Sequence, residues 1–216
     1  MKISEIYKKY KIMPQLQTHM LRVAGVASII CNNFLKSINK ESITMALLVH
    51  DMGNMSKIKL DRFPEFAQPE GIAYWEKVLN EFKEKYGNDD YQATYKILKE
   101  LKIGYKIYNL VHSNEFSKMA LISKNKSFES KICIYSDARV TPHGVASLDE
   151  RLSEVRDRWI NYKGVSQEYF DQLTSNAKVV EQQIFSCCKI KPADITEEKV
   201  KILFSQLNNF EIGTKG

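Results

Sequence analysis

The chain has 216 residues, 44% of them hydrophobic and 27% charged, with a net charge of +6. This length can bury a proper core, and the balance is that of an ordinary soluble domain rather than a low-complexity chain. No run reaches the roughly 18 continuous apolar residues of a membrane span, and Cys31, Cys133, Cys187 and Cys188 contain no CxxC and suit no disulfide framework.

The opening MKISEIYKKYKIM has no apolar core of signal-peptide length, so a cytoplasmic location is expected. Pro14 suits the first turn of a helix running to about Leu35, with Leu16, Val23, Val26 and Ile30 on one face. His19 falls four, seven and eleven residues before the last three and shares that face. A second helix is expected from Ser42 as N-cap to Gly53 as stop. In it Ile43, Leu47, His50 and Asp51 lie on one face. A loop with Pro64, Pro69 and Gly71 carries the aromatics Phe63 and Phe66, and the stretch from Ser56 to Glu70 is expected to shape a pocket.

The spacing then predicts helices from Ile72 to Tyr86 and, after the break GNDD, from Tyr91 to Leu101. Another covers Lys106 to His112, and its continuation would put His112 and Glu115 on one face. The next runs from Phe128 to Val140, stopped by Pro142, with Cys133, Ile134 and Asp137 in one stripe. Leu148 to Tyr162 follows, with Asp149 and Glu150 in its first turn, where they oppose the helix dipole favourably. Two further helices cover about 166 to 188 and 196 to 208. No run of alternating strands is visible, so the expected class is all-α, a single helical bundle.

Taken one at a time, each polar residue on these apolar faces has an ordinary explanation. His19 suits a satisfied core histidine and Asp51 a turn, while Asp137 has Arg139 or Arg22 to pair with. Together they ask for one. A buried carboxylate is costly unless paired or bound to a metal. Two imidazoles and two carboxylates make a mixed N/O set for one divalent ion such as Mn, Fe, Co, Ni or Zn, or Mg.

The carrying segments are THMLRVA (18–24), LLVHDMGN (47–54) and YSDARVTP (135–142). This ordered pattern resembles the HD-domain superfamily of metal-dependent phosphohydrolases, over about residues 14–160. The resemblance implies that His19, His50, Asp51 and Asp137 are metal ligands. The domain is expected over residues 1–165; residues 166–216 fall outside the resemblance and are expected as a C-terminal helical extension packed on it, capping the bundle or mediating self-association. The resemblance also implies hydrolysis of a phosphate ester, a nucleotide being the leading class, by a water that the metal activates.

Asp51 and His112 are the catalytic candidates, His112 as a general acid on the leaving alkoxide. Arg22, Lys57 and Arg139 are the substrate-binding candidates, with Lys59 and His143 behind them. One branch of the superfamily carries a glutamate where this chain has Asn54, and the two-metal branches carry more histidines, so one metal ion is expected. The expected partner is a phosphorylated small molecule. Nucleic acid fits the charge, but no basic cluster with interleaved aromatics points to it. The alternatives are a regulatory domain that holds a nucleotide or RNA without turnover, and a helical interaction protein whose polar residues pair with one another.

Overall fold

The computed structural model describes residues 1–61, 64–157, 159–160 and 164–213. Phe63 and Tyr162 lie outside the described residues. The fold is all-α. In chain order the helices are α1 (Ile3–Lys9), α2 (Pro14–Asn32), α3 (Lys40–Val49), α4 (Ile72–Tyr86), α5 (Asp90–Glu100), α6 (Tyr105–Ser113), α7 (Met119–Lys124), α8 (Phe128–Asp137), α9 (Leu148–Asp157), α10 (Gln167–Phe185), α11 (Glu197–Lys201) and α12 (Phe204–Asn208). A short antiparallel hairpin joins β1 (Val140–Thr141) to β2 (Gly144–Val145), with Val140 opposite Val145.

Helix α2 sits at the centre. From Met20 to Cys31 it buries residues on nearly every side. Helices α3 and α8 pack against it, and so do α11 and α12 from the far end of the chain. Gly25 permits the approach of α11: a Cβ there would lie 2.7 Å from Val200 Cγ1. Helix α10 packs on α7 and α8. Residues 166–213 thus cover two sides of the bundle.

Several elements differ from the sequence reading, each for a local reason. Helix α3 starts at Lys40, because Asn39 rather than Ser42 is the N-cap. The Asn39 side chain accepts from the Ser42 N–H. It ends at Val49, and residues Met52–Lys57 form a 3₁₀ turn. Gly53 is not a helix stop. It lies against α5, where a Cβ would come within 2.0 Å of the Asp90 carbonyl. Its N–H donates to Thr94 Oγ1 at 3.0 Å.

Helix α8 stops at Asp137 rather than Val140, because Val140 enters the hairpin. Strands of two residues carry no alternation for a sequence to display. Helix α1, unassigned from sequence, is fixed by burial of Ile3, Ile6 and Tyr7. The Tyr7 hydroxyl donates to the Leu48 carbonyl at 2.6 Å. The expected helix over 196–208 is two helices, α11 and α12.

Candidate metal centre

His19 projects from the second turn of α2, His50 from the residue after α3, Asp51 from the residue after that, and Asp137 from the last residue of α8. Packing of α3 and α8 on α2 brings these three helix positions to one point. His19 Nε2 lies 3.3 Å from Asp137 Oδ1 and 3.4 Å from Asp51 Oδ2. His50 Nε2 lies 3.7 and 3.6 Å from the same two oxygens. Ligand atoms of His19, His50 and Asp51 all fall within 4.8 Å of one another.

The state of His50 decides what this arrangement accommodates. Its Nδ1 lies 2.7 Å from the Leu47 carbonyl oxygen. A carbonyl only accepts, so Nδ1 carries the proton, and in the neutral ring Nε2 presents a lone pair. That lone pair faces two carboxylate oxygens. Nε2 is buried and has no hydrogen-bond partner among the described residues, and 3.6–3.7 Å is too long for a good N–H···O bond. A lone pair aimed at two anions is stable only with a positive charge between them.

Among the described residues, His19, His50 and Asp51 bring their ligand atoms close enough together to hold one ion, and Asp137 lies outside that group. Donor atoms about 2.1 Å from one ion lie about 3.0–3.4 Å apart at right or tetrahedral angles, close to the separations here. Donation of the outer imidazole N–H to a backbone carbonyl is the usual way a ligating histidine is oriented.

Electrostatics agree. Burial lowers the His19 pKa, but contacts with Asp137 and Asp51 outweigh it and lift the value to about 9. His50 moves up in the same way, burial opposing and the two aspartates prevailing. Burial favours the neutral form of each carboxyl, yet the two imidazoles hold Asp51 below the usual range and Asp137 well below it. These shifts favour protonated imidazoles paired with the two carboxylates, and a proton would have to leave before an ion could bind.

The cluster lies at the junction of two lobes of a cleft. The first, about 390 Å³, is lined by Arg22, Lys57, Lys59, Arg151, Leu60 and Phe66, among others. The second, about 700 Å³, is lined by Asp90, Tyr91, Asn114, Glu115, Phe116 and Trp159, together with the ligand residues. His19, Asp51, Asn54, Lys57 and Arg151 border both. The Ser56–Glu70 loop contributes to the first lobe, as its composition suggested.

The remaining sequence candidates separate. Arg22 borders the first lobe, where its Nε donates to Glu197 Oε1 at 2.9 Å. Glu197 also accepts from the Val145 N–H at 2.9 Å, so one carboxylate fastens α2 and the hairpin to α11. Lys57 borders both lobes and pairs with Asp90 at 2.5 Å.

Arg139 does not reach the cleft. It is 3% exposed, and its guanidinium donates to the Ala146, Pro192 and Ile195 carbonyls and to the Tyr135 hydroxyl. It is a structural tie, not a substrate contact. His112 is also displaced. Helix α6 ends at Ser113, so His112 and Glu115 do not share a helical face. His112 is exposed, stacks on Tyr95 and Tyr108, and meets Lys118. It borders neither lobe. His143 is exposed in the hairpin turn.

Sequence reasoning missed Glu197, Arg151 and Asn114. The first lies in the C-terminal extension, and the other two carried no pattern that distinguishes them from surface residues.

Comparison with family models, with curated proteins and with solved structures gave no significant match. Among the described residues, no helix is long and apolar enough to cross a membrane.

Proposed function

We propose that this chain is a divalent-metal-dependent phosphohydrolase of the HD-domain type, cleaving a phosphate ester, with nucleotides as the leading substrate class. The observation that carries this reading is the convergence of both imidazole Nε2 atoms on the Asp51 and Asp137 carboxylates, with the His50 tautomer set by Leu47. His19, His50, Asp51 and Asp137 would hold one ion. A divalent ion there supplies Lewis-acid polarisation of a phosphoryl oxygen and acidifies a coordinated water.

The chain's own residues do the rest. Arg22, Lys57, Lys59 and Arg151 line the first lobe; Glu197, Asp90 and Glu154 pair with Arg22, Lys57 and Arg151, and these cations would serve an anionic group by exchanging those partners for it. Asp51, which borders both lobes, would orient the attacking water by accepting its hydrogen bond. With His112 outside the cleft, Lys57, now paired with Asp90, would offset charge on the leaving oxygen.

The test is phosphate or nucleoside release from a nucleotide panel with Mn, Co, Ni or Mg, comparing the wild type with Asp51→Ala. Turnover lost in a folded Asp51→Ala protein supports the reading. Equal turnover in both proteins sinks it. Metal uptake with no turnover on any substrate would instead select a regulatory domain that holds its ligand intact.

A further inference from the structure

The second lobe differs in chemistry from the first. Arg22 and Lys59 border the first lobe alone, whereas Asp90 and Glu115 border the second alone. Asp90 is paired with Lys57 and Glu115 with Lys118. Lys57 and Arg151 border both lobes, so the second is set apart by its two carboxylates and by the absence of Arg22 and Lys59 from its lining. Its walls also carry four aromatic rings, Tyr91, Tyr95, Phe116 and Trp159, beside aliphatic side chains such as Val111 and Leu152; Phe116 and Trp159 are in edge contact at 5.3 Å.

Asn114 borders this lobe from the position just after α6 and is 8% exposed. Among the described residues, neither its Nδ2 nor its Oδ1 has a hydrogen-bond partner. A carboxamide buried with both ends unsatisfied is destabilising. Such a group persists where a ligand completes it. The complement of a carboxamide is a planar edge with a donor and an acceptor side by side. Nucleobases carry such edges, adenine through its amino group and ring nitrogen among them. Aromatic walls suit the faces of the same ring by stacking.

We infer that the second lobe is a nucleobase pocket read by the Asn114 amide, so that the cleft takes its substrate in one direction: base in the second lobe, phosphate at the His19–Asp51 junction, further anionic groups in the first. The inference rests on the phosphohydrolase reading for its orientation but not for its ligand.

The test is calorimetric binding of adenosine, guanosine, cytidine and uridine to the metal-free protein, with ribose 5-phosphate as the probe lacking a base. At least one nucleoside should bind, and Asn114→Leu should weaken it by about ten- to a hundredfold while leaving ribose 5-phosphate unchanged. Failure of all four nucleosides, or equal binding by Asn114→Leu, overturns the inference.

Should Asn114→Leu not fold, tryptophan emission gives a second measure. The nucleoside should quench it in Trp75→Phe, where Trp159 remains, and not in Trp159→Phe; the opposite pattern overturns the placement. The two readings fail separately. Hydrolysis of p-nitrophenyl phosphate without nucleoside binding removes the base pocket and keeps the hydrolase. Nucleoside binding without any hydrolysis does the reverse.

Discussion

Two histidine-centred polar groups sit a short way apart in this molecule and behave differently. At the His19–Asp51 cluster, His50 is buried, its Nδ1–H committed to a backbone carbonyl, and its Nε2 faces carboxylates with no hydrogen-bond partner among the described residues. Around His112 the ring is exposed and stacked on tyrosines, with Lys118 bridging to Glu115. Both groups place imidazole near acid. Only the first leaves an electrostatic demand that the protein does not meet. A histidine's role is set by what its second nitrogen lacks, and residue type and neighbourhood in sequence do not reveal that.

The largest effect that would sharpen this contrast comes from removing a carboxylate. Asp137→Ala should lower Mn or Co affinity by at least about a hundredfold, since changing even an outer partner of a ligand costs about ten- to a hundredfold. Calorimetric titration measures it, and retention of wild-type affinity would break the comparison.

Next is pH. The His19 pKa is raised to about 9 in the metal-free protein, so below that pH a proton must leave before its Nε2 can bind a metal. Affinity should therefore rise from pH 7 to 9 by up to about tenfold per unit for that proton, then level off. Titration at each pH checks it, and a flat profile would show that no proton is displaced.

Gly53→Ala drives a Cβ into the Asp90 carbonyl and should destabilise the fold by about 1–3 kcal/mol or more. Because α5 holds the turn that follows Asp51, metal affinity should fall in parallel. Denaturant melts with and without metal test this. The smallest effect belongs to the second group. His112→Ala should leave metal affinity unchanged and alter stability by less than about 1 kcal/mol; a large loss of turnover in that variant would restore His112 to the chemistry.

The cluster was legible in the sequence because its members fall within or just after apolar helical faces, where a polar residue is conspicuous. His19 on α2 and Asp137 on α8 followed from period alone. The end of α3 did not. Gly53 looks like a stop from its neighbours, but it serves a close approach to a helix some forty residues on. Arg139 read as a partner for Asp137 or a substrate contact, yet two of its acceptors are carbonyls more than fifty residues later. The seven residues of α1 are too few to display a period, and tertiary burial decides them. Local pattern exposes residues that violate it and hides those that satisfy distant partners.

Arg139 has one more consequence. It lies two residues after Asp137 and is bonded to the carbonyls of Pro192 and Ile195, just ahead of Glu197, which in turn grips Arg22. Opening the 192–197 stretch would strand a buried guanidinium beside one ligand and release an arginine one turn from another. Fluctuations there and at the end of α8 are thus energetically inseparable. In hydrogen exchange, the amides of both segments should belong to one cooperative opening unit with a shared free energy.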